Sequence, residues 1–330
     1  MTGAFILGCA GLALSPAEAR FFREADPWGF ILFERNASDK AQLRALTQEL
    51  RESVGRDAPV FIDQEGGRVQ RLWPPVWSLH PPALDLCAVS PHPARAMYLR
   101  SRLIAAELRE LGIDGNCAPL GDLAREPTHP RLKNRCYGFT PADVIARARA
   151  VAEGQKAGGV LSVLKHMPGH GGATKDSHID LPVVRADKRA LSATDFAPFK
   201  ALNDLALGMT GHVVFEAYDK EQPATTSPVM HRVIREEIGF QGFLMTDDLS
   251  MDALRGTVAE RCAAALSAGC DAILHCNGDL QEMEDVAASG QLTRAANERA
   301  EAALAGRTKH DEIDMPALEA ELQSLSRGAL

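Results

Sequence analysis

Gly159-Val160-Leu161-Ser162-Val163-Leu164-Lys165-His166-Met167-Pro168-Gly169-His170-Gly171-Gly172 changes character at residue 165. The first six residues form a short, apolar, partly β-branched run flanked by glycine, which predicts a buried strand. A lysine and two histidines follow, and Pro168 and Gly169 let the backbone turn but prevent it from continuing as a ladder. The loop runs on through Ala173-Thr174-Lys175-Asp176-Ser177-His178, adding a carboxylate and a third imidazole. Polar side chains delivered to a loop at the C-terminal end of a parallel strand mark the place where α/β folds keep their chemistry.

Outward from this stretch the chain repeats one unit: an apolar strand, a polar turn and an amphipathic helix. Strands are expected at residues 4–8, 29–33, 59–62, 112–117, 159–164, 206–212, 242–246 and 271–278. Helix starts are signalled by Ser15-Pro16, Ser38-Asp39, Thr140-Pro141 and Ser227-Pro228, where a capping side chain precedes a good first-turn residue. Leu43, Leu46 and Leu50 share one face of the second helix, the spacing of a helix lying on a sheet. Further helices are expected at about 92–111, 188–203 and 253–268. Eight such units predict an α/β fold, a single (β/α)8 TIM-type barrel whose C-terminal loops form the site; that fold typically takes about 250 residues or more. No Pro/Gly/Ser-rich or single-charge linker divides residues 1–330, so one domain is expected, with a C-terminal helical appendage from about residue 306.

Composition narrows the partners. With 330 residues, 45% hydrophobic, a formal net charge of -8 and a pI near 5.7, the chain lacks the clustered basic surface that nucleic acid or an anionic membrane calls for. Seven cysteines without a C-x-x-C pair read as reduced thiols of a cytoplasmic protein. Residues 4–14 mimic a signal h-region, but no basic segment precedes them, and no run approaches the roughly 18 apolar residues of a membrane span. Residues 4–8 are therefore expected to be a strand. The oligomeric state is not specified by these features; a monomer is compatible with them.

The residues just past each expected strand form the candidate barrel mouth: Asp63, Glu65, Arg68 and Arg71; Asp122, Arg131 and Arg135; Lys165, His166, His170, Asp176 and His178; His212; Asp247 and Asp248; His275 and Asn277. Helix capping is the simpler reading of Asp248 and Asn277, and it competes with a functional one at Glu65.

Three stretches taken together resemble the bacterial β-N-acetylglucosaminidases of glycoside hydrolase family 3. They are Asp63-Gln64-Glu65-Gly66-Gly67-Arg68-Val69-Gln70-Arg71, the Lys165-His166-x-Pro168-Gly169-His170-Gly171 run with Asp176-Ser177-His178, and Thr246-Asp247-Asp248-Leu249-Ser250-Met251. The likeness covers nearly the whole chain in the same order. It implies a single-domain barrel that releases N-acetylglucosamine, with retention, from cytosolic muropeptide fragments in cell-wall recycling, without cofactor or metal. By the same resemblance Asp247 is the nucleophile, His178 the general acid/base and Asp176 its neighbour, while Asp63, Arg71, Arg135, Lys165 and His166 bind the sugar. Thr246, Cys136 and Met167 depart from the usual residues at their positions, and the last two are expected to touch on the fit around the sugar.

The chemistry is consistent with those roles. Retention needs one group to attack the anomeric carbon and another to protonate the leaving oxygen, then deprotonate water. Successive strand residues face opposite ways, so only one of Asp247 and Asp248 is expected to face inward. Histidine titrates near neutrality, and a carboxylate on one ring nitrogen readies the other to donate.

Three rivals were weighed. A metal-dependent hydrolase could use the histidine-rich loop, but His166-x-x-x-His170 puts both ligands on one face only in a helix, which Pro168-Gly169 breaks. A Schiff base at Lys165 needs a desolvated neutral amine among many charges. A non-catalytic sugar-binding barrel is disfavoured by the complete reacting set. Finally, Gly169 to Gly172 is expected to act as a hinge that swings His178 over the sugar, with Gly171 and Gly172 using positive φ.

Overall fold

The computed structural model describes residues 2–126, 128–172, 181–251, 253–307 and 313–326. Eight parallel strands close into a barrel: β1 (Gly3–Gly8), β2 (Pro27–Leu32), β3 (Val60–Ile62), β4 (Gly115–Asn116), β5 (Leu161–Met167), β7 (Leu207–Thr210), β9 (Phe243–Asp248) and β10 (Ala272–His275). β6 (Val183–Val184) and β8 (Val214–Phe215) pair separately as a two-stranded sheet outside it. Around the barrel β1 is flanked by β2 and β10, so first and last strands meet and no edge is left open. The (β/α)8 fold expected from the alternation is therefore the fold observed.

Helices begin where their caps predict. Ser15 and Glu18 form a reciprocal capping box for Pro16–Ala25, Asp39 caps Lys40–Val54, and Thr140 caps Pro141–Ala157. Leu43, Leu46 and Leu50 are fully buried against the barrel. Inside the barrel, Trp28 packs on Phe243 with ring centroids 4.2 Å apart and on Phe61 at 5.8 Å. This aromatic floor fills the interior and leaves the C-terminal mouth as the place for polar groups.

Several boundaries differ from expectation. The fourth strand shrinks to two residues because Pro119 lacks an N–H and only an isolated bridge, Leu120 to Lys165, follows it. The helix expected over 188–203 is two helices, Lys188–Ala193 and Ala197–Ala201. Pro198 cannot donate back along the helix, and the break turns buried Asp195 and Phe196 inward. The helix expected from 253 starts at Val258, behind Gly256 at φ 88° and a Thr257–Glu260 capping box. β6 and β8 were not anticipated, being too short for a periodic signal.

The last helix, Met315–Ser326, buries Leu322 in the cluster that also holds residues of Pro93–Glu110, and Arg95 makes a two-pronged contact with Glu321 at 2.7 Å across that junction. Among the described residues no helix is long and apolar enough to cross a membrane. All seven cysteines are buried and free. Burial pushes the Cys9 thiol up to about 12 and raises Cys117 and Cys276 as well, so these thiols are poor nucleophiles.

Candidate active site

A cavity of about 190 Å³ opens at the C-terminal mouth, and Asp63, Arg71, Arg135, Lys165, His166 and Asp247 all line it. These residues lie as far as 184 positions apart, Asp63 to Asp247. They converge because each sits at, or just beyond, the end of a parallel strand.

The densest part is an ion cluster. Lys165 Nζ lies 2.8 Å from Asp63 Oδ1 and 2.6 Å from Glu65 Oε1. Arg135 grips Glu65 with both prongs, at 2.9 and 2.8 Å, and Arg71 Nη2 donates to Asp63 Oδ2 at 3.1 Å. Burial alone would raise the Asp63 carboxyl, but Lys165 and Arg71 outweigh it and hold the group well below the usual range. Burial likewise works against Glu65, which Arg135 and Lys165 bring down to about 2. At Lys165 burial lowers and the two carboxylates raise, with a net rise above the ordinary lysine value. An ammonium bonded to two carboxylates is poorly suited to Schiff-base chemistry, so the geometry argues against that rival.

Beside this cluster lies an Asp–His pair that the sequence did not single out. Asp122, fully buried, has Oδ2 2.7 Å from His166 Nδ1 and accepts from His170 N at 2.7 Å through Oδ1. The carboxylate requires hydrogen on Nδ1, which leaves His166 Nε2 to face Arg135 Nη2 at 3.5 Å. Burial would raise Asp122, but His166 prevails and its carboxyl is held down. The His170 ring stands edge-on to His166 at 5.7 Å and lines the cavity, and its buried Nδ1 has no partner among the described residues.

Burial, helped by the neighbouring His166, pushes His170 down to about 4 from 6.5. The unfolded chain therefore takes up that proton first as pH falls, and folding stability drops between pH 6.5 and about 4. His170→Asn is expected to flatten the decline in urea midpoint over that window. An unchanged slope would show that His170 takes up its proton as readily folded as unfolded.

Asp247 and Asp248 both line the cavity, contrary to the expectation that only one would face inward, since the strand's alternation ends with them, but their roles differ. Asp248 accepts from Ser250 N at 3.1 Å, Ser250 Oγ at 2.7 Å and Cys276 N at 3.2 Å, so its carboxylate ties down the following turn. Among the described residues Asp247 accepts only from Asp248 N, at 2.9 Å. Burial would raise the Asp247 carboxyl, but His166 and His212 beside it and that N–H bring it below the ordinary value. His212, expected at the mouth, is instead fully buried. Its Nε2 donates to Asp248 O at 3.0 Å and its Nδ1 accepts from Thr225 Oγ1 at 2.7 Å, and burial disfavours its cation. Thr246 Oγ1 accepts from Leu274 N at 2.9 Å, so this departure serves the barrel wall. His275 and Asn277 both bond Glu282 and support a helix start, away from the cavity.

Asp176 and His178 lie outside the described residues. The stem leading to them corrects the expectation about glycine. Gly169 has φ 135°, but neither Gly171 nor Gly172 has positive φ. A Cβ on Gly171 would stand 1.9 Å from Leu123 O, and Gly171 O already accepts from Thr128 Oγ1 at 2.6 Å. Close backbone approach, not left-handed freedom, is what requires glycine at 171. Cys136 and Met167 are fully buried and neither lines the cavity, so their expected effect on the sugar's fit has no direct route.

Glu65, Asp122 and His170 were placed at the mouth from the sequence, but without a role, and their partners were not foreseen. Glu65 lay within a quoted stretch but competed with a capping role. Asp122 sits in an irregular loop with no local signal, and its meaning comes from His166, 44 positions away.

The chain matches the model described as "Glycosyl hydrolase family 3 N terminal domain" over residues 20–305. A "Beta-hexosaminidase" of Methylococcus capsulatus is 36% identical over 311 residues, covering 91% of each chain. Among solved structures, a glycoside hydrolase family 3 beta-N-acetylglucosaminidase from Paenibacillus superposes with a TM-score of 0.87 at 28% identity, over 98% of this chain and 67% of that one. NagZ from Neisseria gonorrhoeae, in complex with N-trifluoroacetyl-D-glucosamine, gives a TM-score of 0.85 at 27% identity over 99% and 97% of the two chains. The same Neisseria protein has been solved in complex with zinc ion.

Proposed function

Because this chain belongs to glycosyl hydrolase family 3, we propose that it is a retaining β-N-acetylhexosaminidase that removes terminal N-acetylglucosamine from small saccharides. Asp247 attacks the anomeric carbon to form a covalent glycosyl-enzyme. His178, oriented by Asp176, protonates the leaving oxygen and then activates water. Asp63, Arg71, Arg135, Lys165 and His166 bind the sugar, whose hydroxyls can replace solvent around the ion cluster. The substrates we infer are muropeptide fragments in the cytoplasm, and the chain acts as a single domain.

The observation that supports this most is the state of Asp247. It is an ionised carboxylate at a strand end, facing the cavity, and among the described residues nothing but its neighbour's N–H occupies its oxygens. A nucleophile needs that availability. Turnover of a chromogenic β-N-acetylglucosaminide well above that of the matching glucoside is the expected result. Binding of N-acetylglucosamine with no hydrolysis of either compound would favour the non-catalytic barrel.

Metal-dependent hydrolysis is opposed by the way the histidines are used. His166 Nδ1 is committed to Asp122 at 2.7 Å. Exhaustive chelation is expected to leave kcat unchanged. Loss on chelation with recovery on adding zinc would restore the metal reading.

A further inference from the structure

Arg68, Arg71, Arg131, Arg135 and Lys165 line the mouth, and the last two, with Arg71, are held by carboxylates other than the one that attacks. Lys165 is shared between Asp63 and Glu65, Arg135 is gripped by Glu65, and Arg71 is paired with Asp63. Among the described residues no lysine or arginine nitrogen comes within ion-pair distance of Asp247, although Asp247, Lys165, Arg135 and Arg71 line one cavity. Lys165 is near enough to act on the Asp247 carboxyl through space.

Glu65 is well placed to maintain this separation. It is 5% exposed, does not line the cavity, and holds Arg135 and Lys165, which do. Its backbone is pinned as well, since Glu65 N donates to Val69 O at 2.9 Å. Asp63 shares Lys165 and holds Arg71, but makes no ion pair with Arg135, which Glu65 grips.

We propose that Glu65 is a positioning residue whose negative charge retains Lys165 and Arg135, so that neither collapses onto Asp247 and ties up the lone pair needed for attack. Removing the charge would leave Arg135 without its carboxylate and Lys165 with Asp63 alone, in the cavity that Asp247 lines, and an ion-paired carboxylate is a weaker nucleophile. The inference rests on Asp247 being the attacking group.

Covalent trapping with 5-fluoro-N-acetylglucosaminyl fluoride isolates the step. Asp247 oxygen forms a bond to C1, the C1–F bond breaks, and fluoride leaves with the electron pair, so no proton transfer is needed. Glu65→Gln is expected to lower the inactivation rate constant at least tenfold per folded molecule, by more than it weakens the inhibitor's initial binding. Glu65→Asp keeps the charge and is expected to stay within about threefold of wild type in that rate constant, even where binding weakens. An unchanged rate constant in Glu65→Gln with weaker binding would overturn the inference, because Glu65 would then only place sugar contacts. A tenfold loss in Glu65→Asp would overturn it too, and that arm stands even where Glu65→Gln fails to fold. Peptide mapping of the trapped wild type separates the two levels: a label away from Asp247 overturns the nucleophile assignment itself, whereas a label on Asp247 with equal rates in wild type and Glu65→Gln overturns this inference alone.

Discussion

Asp247→Ala is expected to abolish turnover, with kcat down by roughly three orders of magnitude or more, while a sugar inhibitor still binds. The size follows from the role: without the carboxylate no glycosyl-enzyme forms, and no neighbour can substitute. Asp248 is one residue away, but its oxygens are engaged by Ser250 and Cys276. Binding is expected to survive because the cluster of Asp63, Glu65, Lys165 and Arg135 stands on other strands and makes no bond to Asp247. Steady-state kinetics beside inhibitor titration would check both halves. Retention of more than about a tenth of wild-type kcat, a change of only ~1.4 kcal/mol, would sink the assignment.

The second large effect concerns the stem that leads to Asp176 and His178. Gly171→Ala is expected to lower kcat by about a hundredfold, because its Cβ would lie 1.9 Å from a backbone oxygen of Leu123 and the stem must shift. Displacements of about 1 Å near a reacting centre cost on that order. Gly172→Ala is expected to stay close to wild type, since its nearest neighbour is a Val184 methyl at 3.2 Å, which can give way. A hinge would predict the reverse emphasis: both glycines contributing through conformational freedom, with the double variant impaired chiefly in closure. Equal losses in the two single variants would therefore favour the hinge over close packing.

The barrel was legible because it depends on local signals repeated in order. Ser15, Asp39 and Thr140 cap where a short polar side chain must satisfy free N–H groups, and Leu43, Leu46 and Leu50 mark a buried face at helical period. The cavity residues Asp63, Arg71, Arg135, Lys165, His166 and Asp247 were legible for a related reason. A parallel barrel carries every strand's C-terminal end to one face, so position after a strand translates into position at the mouth. Boundaries were harder to read. Nothing periodic announces two-residue strands such as β6 and β8, and the break at Asp195-Phe196 is stabilised by burial of Phe196, which a helical pattern cannot foresee.

By itself the sequence determined the fold, the face that carries the chemistry and most of the residues gathered there, since all three follow from patterns between near neighbours in the chain. Only the tertiary structure decided how the charges are paired. Glu65 joins two cations brought from other strands, Asp122 selects the tautomer of His166, and His212 turns from the mouth to hold the carbonyl of Asp248. The same was true of Gly171, whose lack of a side chain is explained by Leu123, 48 positions earlier. Ion pairing, tautomers and close backbone approach depend on distances of a few ångströms between segments remote in the chain, and those distances exist only once the barrel has closed.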